Sequence, residues 1–372
     1  MLLYITVGES GPEGPREFSP PEGLPLTVSA HFDRGMRHHA RPAALQHWSG
    51  DALEEIPDWK LDRLVIRIGL FWSERLRVET GDRVAILGTL GPLWPLAEFA
   101  ALGLGAVPVV FEGEPSDTAL ARGLSETAPR VVVATDREAA RQLMRLRTSG
   151  IPLVVPDGTE PVDPAALTLG TLLDLAAALD TAERAGWFRQ RSRSVDPDSE
   201  ACWHVSRDGA IARLAHRDVM GLVATRLASA PLLPGDVVYL ESPRIALAAR
   251  IALYSLVGDG RAVTTLGRDG QLDGDLAAVR PHGLLATSLS LARLWQEVRA
   301  GQEGEGGRLG RLLPSAWPRR PMRGLRKALR AKLGDRLRLV EAVGPVAADI
   351  AAWLGRSGIT LTSTGDSKEV NA

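Results

Sequence analysis

Residues 81–111 read GDRVAILGTLGPLWPLAEFAALGLGAVPVVF, and this stretch decides the fold. Gly81-Asp82 turns the chain, and Arg83 to Gly88 reads as a buried strand. Trp94 to Leu104 reads as a helix and Ala106 to Val110 as the next strand. The stretch is apolar enough to suggest a membrane span. A spanning helix, however, wants roughly 20 uninterrupted apolar residues. Here Gly88, Gly91, Pro92, Pro95, Glu98, Gly103, Gly105 and Pro108 break the run. A buried strand–helix–strand unit accounts for the pattern.

The alternation continues outward. Upstream, Trp59 to Val78 has helical spacing of apolar residues, with Arg63, Arg67 and Glu74 for the wet face. Downstream, Thr118 to Thr127 and Arg137 to Arg147 read as helices, and Arg130 to Thr135 and Ile151 to Val155 as strands. The polar segment Asp180–Glu200 marks a boundary, after which alternation resumes. Strands are expected at Ala201–Val205, Asp236–Leu240, Arg261–Thr265, Leu284–Ala286, Arg336–Val340 and Ile359–Leu361. Helices are expected at Arg244–Leu256, Ser290–Ala300 and Val346–Leu354, with a flexible Gly/Glu-rich run at Gly301–Gly310. Such order implies βαβ units and mainly parallel sheets flanked by helices. The expected division is a loop-rich lead-in at 1–25, a first α/β lobe at 26–195 and a second, truncated lobe at 196–372.

Composition excludes several classes. With 372 residues and 45% hydrophobic side chains the chain can bury a large core, so it is neither fibrous nor wholly disordered. Its 44 basic and 45 acidic residues nearly cancel, so whole-chain charge gives no case for nucleic acid. One cysteine, Cys202, excludes an internal disulfide and a multi-cysteine zinc site. It reads as an inert core thiol. No signal peptide is read at the N-terminus, which leaves a cytoplasmic expectation. Lysine occurs only at Lys60, Lys327, Lys332 and Lys368.

The order of these pieces resembles the adenylate-forming superfamily, and more narrowly the N-terminal domain of a long-chain fatty-acid–CoA ligase. The resemblance is carried by Arg41-Pro42-Ala43-Ala44-Leu45 with Trp59-Lys60-Leu61, by Gly81-Asp82-Arg83-Val84-Ala85-Ile86, and by Gly103-Leu104-Gly105-Ala106-Val107-Pro108. Arg293-Leu294-Trp295, Leu333-Gly334-Asp335-Arg336-Leu337-Arg338 and Val343-Gly344-Pro345 extend it. It implies a two-lobed α/β N-terminal domain. The sequence ends at Ala372, so the expectation is truncation, with the C-terminal domain and its adenylation lysine absent.

The chemistry implied by the resemblance needs a Gly/Ser/Thr-rich loop whose amides and lysine hold ATP phosphates, and a glutamate for Mg²⁺. The loop should precede His216-Arg217-Asp218, and what stands there is Trp203 to Ala215. Only Ser206 and Gly209 remain of the small polar set, Asp208 adds negative charge, and no lysine lies between Lys60 and Lys327. The magnesium glutamate falls on Glu369, with Lys368 in place of threonine and the adenine-stacking aromatic missing. Ser206, Gly209 and Glu369 are therefore read as non-functional remnants of a nucleotide site. No catalytic or metal residue is expected, and no cofactor, unless another chain completes a split ligase that uses ATP and Mg²⁺.

The remaining features have ordinary readings beside functional ones. Arg319 to Arg338 is basic, with Leu325, Leu329 and Leu333 as an apolar stripe. This reads as a packed helix with a solvated basic face, or as a peripheral membrane or partner contact. His38 with His39, and His204 with His216, read as packed histidines rather than a metal site or base. The expected role is that of a pseudoenzyme in lipid or natural-product metabolism, binding an acyl ligand or a protein partner such as an active synthetase.

Overall fold

A computed structural model of the chain describes residues 23–37, 41–146, 150–159, 166–206, 209–241, 246–306 and 333–363. They fall into two compact units. The larger draws on 16–235 and 242–269, the smaller on 236–241 and 270–372.

The larger unit opens with α1 (Val28–Arg37), β1 (Leu45–Ser49), β2 (Ala52–Ile56) and α2 (Asp58–Arg75). Next come β3 (Arg83–Leu87), α3 (Leu93–Gly103), β4 (Val107–Phe111), α4 (Asp117–Thr127), β5 (Val131–Ala134) and α5 (Arg137–Arg145). It continues through β6 (Leu153–Val155), β7 (Ala166–Thr168), α6 (Leu169–Ala177), α7 (Ala182–Arg193), β8 (Glu200–Val205), β9 (Ile211–Ala215) and α8 (His216–Ser229). After β10 (Val237–Leu240), which belongs to the smaller unit, the larger resumes with α9 (Leu247–Asp259) and β11 (Val263–Leu266).

Seven of its strands run in the order β7-β6-β5-β3-β4-β8-β9, all parallel except for the antiparallel β8–β9 pair. The register sets Val84 beside Pro108 and Val131, and Val109 beside Trp203. Parallel strands covered on both faces need continuous apolar runs. β4 and β5 are buried at every position. Phe111, Val132, Leu120 of α4 and Leu143 of α5 join one core cluster there.

The smaller unit adds α10 (Leu272–Val279), β12 (Gly283–Thr287), α11 (Ser288–Gly306), β13 (Leu339–Val343), α12 (Ala348–Arg356) and β14 (Thr360–Ser363). Its four strands are parallel in the order β14-β13-β12-β10. Trp353 of α12 is buried and tilts against Trp295 of α11, with ring centroids 4.8 Å apart.

Several expectations need correction. The boundary expected at 195/196 falls inside the larger unit, because β8 and β9 extend the sheet of β3 to β7. The polar segment Asp180–Glu200 contains the helix α7. Its apolar patterning is weak because it docks through one large side chain, Phe188, while Arg189 pairs with Asp62 at 2.5 Å and Arg184 with Glu74 at 3.0 Å. The run read as flexible from Gly301 is helical to Gly306, as part of α11. The strand expected at Arg336–Val340 is β13, three residues later. Helices α1, α6, α8 and α10 carried no expectation. Within the basic stretch, 319–332 lie outside the described residues, as do His38, His39 and Glu369. Among the described residues no helix is long and apolar enough to cross a membrane.

α1 and α9 approach closely because both carry glycine at the contact. A Cβ on Gly35 would stand 2.1 Å from the Val257 carbonyl oxygen, and one on Gly258 2.0 Å from the His31 ring. Gly258→Ala is therefore expected to cost about 1–3 kcal/mol by overpacking, although alanine is the better helix former. Gly186→Ala in α7, where a Cβ meets nothing within 4 Å, should instead be neutral or gain up to about 1 kcal/mol. Urea unfolding of the two variants measures both.

Candidate functional site

The segment that should cradle phosphates is a β-hairpin. β8 and β9 pair from Cys202 opposite Leu214 to Val205 opposite Ile211. At its tip the Ser206 amide donates to the Ala210 carbonyl at 2.9 Å, and the Ser206 hydroxyl donates to the same oxygen at 3.0 Å. The Gly209 amide donates to the Ser206 carbonyl at 2.9 Å. Gly209 has φ +87°, a left-handed conformation that glycine adopts without strain. Both remnant residues thus use their amides to close the turn. An anion cradle needs successive amides aimed outward together, and these two are not. Arg207 and Asp208 lie outside the described residues.

The side chains around the hairpin are equally committed. Arg213 lies over the Trp203 ring at 4.1 Å. His204 Nε2 stands 3.1 Å from a Glu112 carboxylate oxygen. His216 faces elsewhere: its Nδ1 accepts the Val28 amide at 3.2 Å, and burial pulls its pKa down to about 4. Burial pushes the Cys202 thiol up to about 11, only partly opposed by Arg250, which disfavours the reactive thiolate.

Behind the hairpin lies a charged cluster without solvent. Glu98 of α3 and Arg250 of α9 are both fully buried. One Glu98 oxygen accepts Arg250 Nη2 at 2.5 Å and Nε at 2.9 Å, and also the Tyr254 hydroxyl. The other oxygen accepts Trp94 Nε1 at 3.1 Å. Arg250 Nη1 donates to the Trp203 carbonyl at 2.8 Å, and Nη2 reaches the Pro108 carbonyl at 3.3 Å. Burial opposes the Arg250 charge, but Cys202, Glu98 and Tyr254 together hold its pKa above the ordinary value. Burial also raises the Tyr254 hydroxyl well above its usual range. These groups are locked and dry, so they brace α3, α9, β4 and β8 rather than meet a ligand. Sequence reading passed over them, although a lone glutamate inside an apolar helix was a visible signal.

Open sheets place ligands at the carboxyl ends of strands where successive connections diverge. In the larger unit that point lies between β3, whose connection leads to β4, and β5, whose connection leads to β6. A crevice of about 440 Å³ opens there, lined by Gly88, Thr89, Gly113, Arg137 and Gln142 among others. The start of α5 is already capped, since Asp136 accepts the amides of Thr89 and Ala139, each at 2.8 Å. In the smaller unit Glu241 follows β10. Its oxygens accept the Ser290 hydroxyl at 2.8 Å and the Thr287 amide at 3.1 Å, so a carboxylate occupies the strand ends.

No family model and no curated protein sequence matches the chain. Solved structures do match in fold. The adenylation domain of a carboxylic acid reductase from Segniliparus rugosus, solved with AMP and a co-purified carboxylic acid, aligns at TM-score 0.69 and 17% identity over 94% of this chain and 61% of that one. Acetoacetyl-CoA synthetase from Streptomyces lividans aligns at 0.66 and 15%, over 91% of this chain and 51% of its own length. The N-terminal domain of FACL13 from Mycobacterium tuberculosis aligns at 0.62 and 15%, over 91% and 76%. The chain has the mixed α/β fold of an adenylate-forming N-terminal domain, with mainly parallel sheets flanked by helices. It spans about three-fifths of the reductase domain and half of the synthetase. Identities this low establish the fold and leave the chemistry to the residues.

Removing one partner of a buried ion pair strands the other. Glu98→Ala is expected to destabilise the larger unit by about 3–5 kcal/mol. Exchanging both charges together, Glu98→Met with Arg250→Met, should cost less than the single change. Denaturant unfolding of the single and double variants tests the order.

Proposed function

We propose that this chain is a non-catalytic adenylation-fold module that binds an acyl chain or a protein partner in lipid or natural-product metabolism. One observation carries this reading: the amides of Ser206 and Gly209, where the resemblance calls for a phosphate cradle, are spent on the hairpin turn. ATP carries its negative charge on its phosphates and needs converging donors or cations there. The amides of Ser206 and Gly209 supply no such donors, and on this reading no adenylation step is assigned to the chain. An acyl chain asks only for apolar walls, a requirement to which the hairpin is irrelevant. The likeness to an adenylation domain solved with a carboxylic acid supports this ligand class.

A second reading keeps the same fold. The chain spans only part of its structural neighbours, so another chain could complete a split ATP-dependent long-chain fatty-acid–CoA ligase. ATP and Mg²⁺ would then be required, with Glu369 as the metal-binding carboxylate.

Calorimetry and pyrophosphate release with the purified chain decide between them. Expected are no heat of ATP binding, no pyrophosphate from ATP with fatty acids of any length, and saturable binding of a fatty acid or of a co-purifying protein. Turnover by the chain alone refutes the first reading. Turnover that appears only with a second chain, and disappears in Glu369→Ala, establishes the second.

A further inference from the structure

We propose that α1 is an acid-released strap: as pH falls below the ordinary histidine range it leaves the larger unit while the sheet keeps its fold, because two buried histidines favour the docked helix only when neutral. α1 has 10 residues and pairs with no strand. Isolated helices below about 12–15 residues are marginal in water, so once undocked α1 unfolds. Its apolar stripe is Val28, Phe32 and Met36, with Phe32 stacked on Phe99 of α3 at 4.3 Å. The polar ties are few. The Ser29 hydroxyl donates to the Ser192 carbonyl at 2.8 Å. Asp33 accepts Arg193 of α7 at 2.9 Å and Arg37 of α1 at 2.7 Å. One further tie to the body runs through imidazole, from His216 to the first amide of α1, and the His31 ring is packed inside the contact against Gly258 of α9.

His216, at the start of α8, accepts the Val28 amide at the first residue of α1 through Nδ1. Only an unprotonated nitrogen can accept. His31, on α1 itself, turns Nδ1 to Arg34 Nη2 at 3.1 Å, which again requires a lone pair. In both rings the proton therefore sits on Nε2, and both Nε2 atoms are buried without a partner among the described residues. Protonation deprives the Val28 amide of its acceptor and sets an imidazolium against the Arg34 guanidinium.

The charges facing these rings do not rescue them. On the side of α9, Asp259 and Arg261 bear on Arg34 with opposite sign. Arg193 of α7 is bound to Asp33. Glu98 of α3 and Arg250 of α9 satisfy each other. Asp196, ahead of β8, favours a charged His216, but burial outweighs it. Burial, then Arg34, pulls His31 down to about 3.

The sign follows directly. Both groups bind protons more weakly docked than released, so docking is fully stabilised above the ordinary histidine value of about 6.5 and weakens as pH falls below it. From pH 7 to 5 His31, which reaches water when α1 leaves, shifts the release equilibrium about 25-fold, and His216 adds to this because its protonated ring no longer accepts the Val28 amide. Release uncovers Phe99 and the glycine-lined face of α9.

Hydrogen exchange of the full chain at pH 7 and 5, corrected for intrinsic rates, reads this out. Residues 28–37 should lose protection at least about 25-fold while β3, β4 and β5 stay protected. Equal protection of 28–37 at both pH values, or opening of the sheet together with α1, overturns the proposal. In the double variant His31→Asn/His216→Asn an amide oxygen can accept the same bonds without titrating. Protection of α1 should then no longer respond to pH, and a retained response overturns the proposal. If that variant does not fold, the imidazole resonances of His31 and His216 in the unaltered protein decide. They should stay neutral below pH 6 while α1 is docked, and titration near 6.5 with α1 still protected overturns the idea.

Discussion

A carboxylate and a guanidinium, both without solvent, set the terms for the larger unit. Glu98 sits on a helix buried on every side, so its charge has no route to water. Leaving such a charge unpaired would be very costly. Arg250 answers it directly, and Trp94, Tyr254 and the carbonyls of Pro108 and Trp203 complete the shell. Because Arg250 also holds the β8 backbone, the cluster fixes the strand from which the hairpin springs. The chemistry of the hairpin thus depends on packing that sits behind it.

Much of the fold was legible in the sequence, for reasons of period and length. β3, α3 and β4 appear within a residue or two of their expected limits, because short apolar runs punctuated by glycine and proline leave few alternatives. The misses have a common cause. α7 is polar and grips through Phe188 and ion pairs to α2, contacts that exist only after the helices meet. α1 depends on glycines of its own and of α9, residues that ordinarily argue against helix. A polar stretch can be a surface helix as readily as a linker, and Asp180–Glu200 holds α7.

The site was legible in part. Ser206 and Gly209 stand out in the sequence as small residues, but their types alone do not say where their amides point. The hairpin answers that, since an isoleucine and an alanine opposite β8 let β9 pair where a longer glycine-rich loop could not. Glu241 could not be found from sequence, because its importance comes from neighbouring strand ends. The β3/β5 crevice likewise depends on strand order, which residue types do not encode.

β9 is the outermost strand of its sheet, and its free side offers unpaired backbone to any extended segment that drifts near. Arg213, flattened over Trp203, puts a fixed positive charge on that border. A second hydrophobic strand laid there would have to strip water from the guanidinium or push it off the indole. The same cross-strand stacking that pairs β9 with β8 therefore works as a guard against sheet-to-sheet aggregation.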